Sequence, residues 1–337
     1  MSKKALASRL LGACGLLSLP IPFPRDTLIV LNYHRVMPDG VRPNWSRGVV
    51  SADRSGFAEQ VAWIARRFRT PAPAEAVETI EKGGRFGDPS VLITFDDGYI
   101  DNFEVAFPVL REHQVPAVFF IPTEPFLRRR LGWWDHTAYL VRACTRPSLR
   151  IDYPTPGTFD LSGPDREAAI KRVLKHVKAA LSVDYGRFLD SLRAATGVAS
   201  PPPEVEGREL MEWGHLKTMA AAGMAIGGHT HTHPLLAGLG EEEQRRELTI
   251  CREILLDKVG GAIDTMAYPT GKPGVFTAAT KKAAREAGYR TAFSFYGGTN
   301  RGGRVDPFDV RRIAVGPDLG RDGFRAVLRF PGIFGTG

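Results

Sequence analysis

Cysteine is scarce in this 337-residue chain: Cys14, Cys144 and Cys251 lie far apart, odd in number and without any CxxC spacing. That pattern argues against a disulfide framework and a cysteine-rich zinc site, and it fits a reducing compartment. No apolar run approaches the ~18 uninterrupted residues that a membrane span requires. RNP-like aromatic motifs, zinc-finger spacing and helix-turn-helix patterns are missing too, so nucleic acid is not an expected partner. Acidic residues are the minority charge, 37 against 45 Lys and Arg, leaving a formal net charge of +8. An excess of that sign favours anionic glycans or phospholipid headgroups and otherwise forms a solvated surface.

What is present suffices for a large core, with 43% apolar residues; the length suits one large α/β domain or two smaller ones. The first 25 residues stand apart. Lys3 and Lys4 ahead of Leu10–Leu17 resemble a secretion signal, but Arg9 interrupts a short apolar run. The preferred reading is an amphipathic helix, with Leu6, Leu10, Leu11 and Leu17 on one face, docking on the domain or on a membrane surface. The expected location is cytoplasmic or peripheral at the inner membrane, with secretion left open.

From residue 26 to about 330 the chain alternates apolar runs with helical periodicity. Strands are expected at Leu28–Leu31, Val91–Phe95, Ala117–Ile121, Met224–Gly227, Thr265–Tyr268, Thr291–Phe295 and Val310–Val315. Phe57, Val61, Ile64 and Phe68 mark one amphipathic helix, and Glu241 to Lys258 a charged one. Asp101 and Glu104 read as a capping pair for the next helix. A segment from about 126 to 207 breaks the rhythm and reads as a helical and loop insertion. Repeated strand–helix units predict a parallel barrel or a doubly wound sheet, with chemistry at the strand C-termini.

Two clusters lie at such ends. Asp96-Asp97-Gly98 closes an apolar strand with adjacent carboxylates, whose repulsion calls for a shared cation or proton. Gly228-His229-Thr230-His231-Thr232-His233-Pro234 offers three imidazoles in five residues. Acid pair and histidine cluster together are what a mononuclear metal hydrolase needs: ligands, an open position and a spare base.

Thr94-Phe95-Asp96-Asp97-Gly98, His229-Thr230-x-x-His233 and Ala267-Tyr268-Pro269-Thr270-Gly271 resemble the successive motifs of polysaccharide deacetylases, carbohydrate esterase family four, the NodB-homology domain. Tyr33-His34-Arg35-Val36 and Trp133-Trp134-Asp135 resemble a bacterial branch linked to exopolysaccharide modification. The resemblance implies a distorted (β/α)7, TIM-like barrel and a de-N-acetylase acting on N-acetylhexosamine units of a glycan. It places Asp97, His229 and His233 as ligands of a divalent metal, usually zinc, and Asp96 as the base. The backbone N–H of Thr270, where relatives usually have tyrosine, would bind the oxyanion. His34, Tyr268, Pro269, Trp133, Trp134 and Asp135 are the expected substrate-facing residues, and His231, between the ligands, is expected to support them or to lie at the surface without binding metal.

Two departures stand out. Many relatives carry an arginine in the third motif to steady the base, but Met266 and Ala267 stand here; Arg312 from a later strand is the candidate substitute, with a plain surface charge as the alternative. The late Leu-x-His element that supplies a general acid in many relatives is absent. Protonation of the leaving amine then falls to His34, to water or to Asp96. A carbohydrate O-acetyl esterase and a catalytically weak glycan-binding protein are the alternatives.

Overall fold

The computed structural model describes residue 23 and residues 25–163 and 165–335. The helix expected in the N-terminal arm lies outside the described residues. Strands β1 (Thr27–Tyr33), β2 (Ser90–Asp96), β3 (Ala117–Ile121), β4 (Ala225–Gly228), β5 (Thr265–Ala267) and β6 (Thr291–Phe293) form one parallel sheet in chain order. On the far side of β1 lie the antiparallel β7 (Asn300–Arg301) and the parallel β8 (Arg312–Ala314). A single parallel bridge, Phe293 to Val310, joins β6 to the approach of β8. Two hydrogen bonds reinforce it, Ser294 N–H to Val310 O at 2.9 Å and Val310 N–H to Ala292 O at 3.0 Å. This narrow seam curls seven parallel strands into a (β/α)7 barrel and decides against the open doubly wound sheet.

The strands read as unbroken apolar runs because both faces are buried. Ile29, Leu31, Ile93 and Phe119 pack outward against helix residues such as Phe57, Val61 and Ile64. Leu28, Val30, Leu92, Val118, Phe120 and Val310 fill the lumen. Continuing the two-residue period along the strands brings Asn32, Thr94, Asp96 and Arg312 onto the lumen side at the C-terminal mouth. All four are buried. The barrel therefore changes from apolar filling to a polar network where chemistry is expected.

Helix Arg54–Arg67 carries the expected apolar stripe and is capped by Asp53, whose carboxylate accepts from Gly56 N–H. The Asp101–Glu104 capping pair does not form. Asp101 instead accepts from Val36 N–H and Arg35 Nε, and a π-helical turn, Asn102–Ala106, leads into helix Phe107–Glu112. The inserted stretch has its own apolar cluster, built from Trp133, Leu140, Leu149, Phe159, Val173, Phe188 and Leu192. Helices Trp133–Ala143, Glu167–Lys178 and Tyr185–Thr196 surround it, with an antiparallel hairpin, Ser148–Ile151 with Gly157–Asp160, that the Pro/Gly-rich sequence does not announce. Among the described residues no helix is long and apolar enough to cross a membrane.

Candidate active site

Strand β2 ends at Asp96, and the chain turns sharply there: Asp97 has φ 74° and Gly98 φ 70°. A side chain on Gly98 would run into the Phe126 ring, so glycine is required on steric as well as conformational grounds. Left-handed backbone recurs at Thr230, His233 and Thr270. Four of the seven non-glycine residues with positive φ among the described residues thus lie in the three site loops. Each such conformation costs about 1–3 kcal/mol and persists only where surrounding structure fixes it.

The histidine loop is fixed in that way. Glu247 accepts from the backbone N–H groups of His231 and Thr232 and from the Thr232 hydroxyl, and His233 N–H donates to Thr230 Oγ1. His229 Nδ1 lies 2.8 Å from Ala267 O, a contact that requires its proton on Nδ1 and leaves the Nε2 lone pair free. That Nε2 lies 3.2 Å from His233 Nε2, and each is 3.6 Å from Asp97 Oδ1. Potential ligand atoms of Asp97, His229 and His233 all lie within 4.8 Å of one another. His231 turns away, with Nδ1 2.9 Å from Thr123 Oγ1.

These atoms fit a divalent ion better than they fit one another. Asp97 Oδ1 is buried with no hydrogen-bond partner among the described residues. Burial, with Asp96 and Asp135 nearby, pushes the Asp97 carboxyl well above the usual range, while burial and His229 push the His233 imidazole well below its own. A cation reverses the first effect and uses the neutral imidazoles left by the second. The set matches the His₂-carboxylate composition of open catalytic sites.

Asp96 occupies a different environment. Arg312 grips it in a bidentate pair, 2.6 Å to Oδ1 and 3.0 Å to Oδ2. Asn32 Nδ2 donates to Oδ2 at 3.1 Å. Burial opposes ionisation of Asp96, but Arg312, His229 and His34 outweigh it and hold the carboxyl well below the usual range. Arg312 is fixed in turn by Ser294 O, Asn32 Oδ1 and the faces of Phe120 and Phe295. His34 Nε2 stands 4.0 Å from Asp96 Oδ2, and burial lowers its pKa to about 4, so the ring is neutral near pH 7. Thr270 follows β5 on the adjoining loop, and its N–H has no hydrogen-bond acceptor among the described residues.

Several expected substrate contacts are corrected. Asp135 is fully buried: Oδ1 accepts from Ser46 N–H and Oδ2 from Tyr99 OH, so it braces the lobe and is closed to sugar hydroxyls. Trp133 stacks on Tyr185 at 4.7 Å inside the lobe core. Trp134 donates to Tyr99 OH and packs against the His233 ring at 4.5 Å, supporting a ligand instead of presenting a free face. Tyr268 stacks on Phe276 and donates to Phe308 O, and Pro269 beside it is also buried. For Trp133, Trp134 and Tyr268 a large aromatic body found a packing partner, which local sequence cannot distinguish from a cleft.

Other residues are not singled out by the sequence. Asn32 bridges Asp96 and Arg312; its signal is its lumen parity two residues beyond Val30. Arg35 pairs with Asp101 at 2.7 Å and Glu209 at 2.5 Å and covers the Tyr99 ring, tying the loop after β1 to that after β2. Lys178, at the end of an inserted helix, places its ammonium 5.8 Å over the Trp133 ring.

The polysaccharide deacetylase family model matches residues 83–142 and 158–292, more than half of the chain. The chain belongs to that family. A poly-beta-1,6-N-acetyl-D-glucosamine N-deacetylase of Escherichia coli K12 is 27% identical over 99 residues, covering 29% of this chain and 14% of that protein. The enzyme of the same name from Staphylococcus aureus MSSA476 is 28% identical over 111 residues, covering 31% and 38%. The chain thus matches well under two thirds of the length of either relative. IcaB from Ammonifex degensii superposes with a TM-score of 0.57 at 21% identity, covering 90% of this chain and 97% of that one, a likeness of fold.

Proposed function

We propose that this family member is a metal-dependent de-N-acetylase of N-acetylhexosamine units in an exopolysaccharide or related glycan, and that its metal is zinc. One observation carries the reading: the free Nε2 of His229, the His233 ring and an unpartnered Asp97 oxygen converge on one point, with an ionised second carboxylate beside it. Asp97, His229 and His233 would hold the ion. When bound there, a divalent cation supplies Lewis-acid polarisation of a carbonyl and lowers the pKa of a coordinated water from 15.7 to about 7.

The chain's own residues supply the rest. Asp96 is the base; its pairing with Arg312 keeps it charged at neutral pH and fixes both oxygens. The Thr270 N–H is the donor for oxygen charge that develops at the acetamide carbon. The proton that Asp96 takes from water would pass to the departing amine through His34, the neutral imidazole outside the ligand set 4.0 Å from Asp96, which would accept one proton as it gives up another. Acetate and a free amine leave. The relatives' printed activity on poly-beta-1,6-N-acetyl-D-glucosamine supports an exopolysaccharide as substrate class.

The test is acetate release from N-acetylglucosamine oligomers and from O-acetylated xylan, before and after chelation and with zinc added back. Release from the N-acetylated oligomers that stops on chelation and returns with zinc supports the proposal. Release from the ester alone would replace it with an esterase, and glycan binding without release would make the protein a binding module.

A further inference from the structure

A cavity of about 770 Å³ lies between the inserted lobe and the barrel. Tyr185 and Leu189, from helix Tyr185–Thr196, line it on the lobe side. Helix Glu241–Lys258 and the histidine loop line it on the barrel side. His233 belongs both to this wall and to the metal set, so the cavity adjoins the metal centre. Pockets of about 300–1,000 Å³ bury most of a small ligand's surface, and this one falls in that range.

The wall suits a neutral ligand rich in hydroxyl groups. Four arginines and four carboxylates line it, so their charges balance. Arg128 pairs with Glu124 at 2.5 Å, Arg130 with Glu206 at 3.1 Å and Arg193 with Asp190, which leaves those cations no call for an incoming anion. Trp133 Nε1 and His136 Nδ1, both on lining residues, are buried without a hydrogen-bond partner among the described residues. Such atoms cost free energy until a partner arrives. The face of Trp133 is taken by Tyr185, but its indole N–H still needs an acceptor. His136 Nε2 lies 2.7 Å from Glu206 Oε2, a contact that puts a proton on Nε2. Its Nδ1 then accepts in the neutral ring and donates in the protonated one, and a hydroxyl satisfies either state. A carboxylate or sulfate only accepts, and an ammonium only donates. Half-buried Tyr185, backed by the Trp133 ring at 4.7 Å, and half-buried Leu189 add an apolar platform for the C–H face of a sugar.

We propose that this cavity is a second glycan site, holding neutral sugar units of the same chain beside the N-acetylated one. Tyr185 and Leu189 form its platform, and Trp133 Nε1 and His136 Nδ1 take its hydroxyl groups directly or through a water. The inference rests on the deacetylase reading and narrows its substrate to oligomers. It makes the inserted lobe part of the specificity machinery: barrel loops hold the acetamide, and the lobe measures chain length.

The test compares the dimer and the tetramer of N-acetylglucosamine. Dissociation constants come from calorimetry on the protein as purified, alongside kcat and KM for acetate release. The tetramer should bind about tenfold tighter or more, the worth of one or two good contacts. The gain should lie in KM instead of kcat and should persist as salt rises. Tyr185→Ala removes the platform and Leu189→Arg fills the cavity, so each should cut the tetramer-to-dimer ratio, while Tyr185→Phe should keep most of it. Equal binding of dimer and tetramer by the wild type overturns the proposal, as does an unchanged ratio in both Tyr185→Ala and Leu189→Arg. A gain that vanishes as salt rises also overturns it, since charge would then be what is read. Length-selective binding with no acetate release from either oligomer upholds the second site and rejects the deacetylase reading. Acetate release without length selectivity does the reverse, so the two fail separately.

Discussion

Replacing Arg312 by glutamine removes the cation that keeps Asp96 ionised inside the barrel mouth. Arg312 is fully buried and makes two hydrogen bonds to that carboxylate. Breaking a buried ion pair from one side costs about 3–5 kcal/mol, a large part of a typical domain's 5–15 kcal/mol. The cost should depend on pH. In the wild type the native Asp96 pKa is depressed, so its contribution to stability is present above the unfolded-state value of about 3.9 and is lost as pH falls through the lower native pKa. In the variant, burial without the cation raises the native pKa, so stability is lost as pH rises through it. The gap between the proteins should therefore open from about pH 4 toward neutrality. Urea denaturation of both metal-stripped proteins across that range measures it. The acidic limb of the kcat/KM profile should also move to higher pH in Arg312→Gln. Arg311→Gln is the control, since Arg311 is exposed and lies over the Tyr296 ring. A gap below about 1 kcal/mol at pH 7, or one independent of pH, would show that Arg312 does not hold Asp96 charged.

His229→Ala and His233→Ala should each lose bound metal and activity together, read by elemental analysis beside turnover; full occupancy in either would remove that residue from the ligand set. Asp96→Asn should keep the metal while turnover falls by about 10²-fold or more, because geometry survives and the base does not. Trp134→Leu removes the ring packed on His233 and should weaken metal affinity by about 10-fold or more, measured by chelator competition. His34 should be neutral at pH 7 and titrate near 4 by NMR, with the stability it contributes by staying neutral present above pH 6.5 and lost as pH falls toward 4. A His34 midpoint near 6.5 would contradict its burial beside Arg312 and His229.

Much of the barrel was legible because each parallel strand is buried on both faces and appears as a short apolar run. Helix Glu241–Lys258 has the expected limits because glycine precedes it and charge fills its outer face. The acid pair and the histidine loop were legible because their neighbours in space are also neighbours in sequence. What failed depended on distance along the chain. Asp101 looks like a cap locally, but Arg35, 66 residues away, claims it. Trp133, Asp135 and Tyr268 look like glycan contacts until Tyr185, Ser46 and Phe276 cover or bind them.

The most direct test of the account measures metal content and acetate release in one preparation treated with chelator and then titrated with zinc, using an N-acetylated glucosamine oligomer. The account predicts that activity rises linearly with zinc to about one ion per chain and then stops, with one free amine appearing for each acetate. Undiminished release from metal-stripped protein, or saturation with zinc without any acetate, would contradict it.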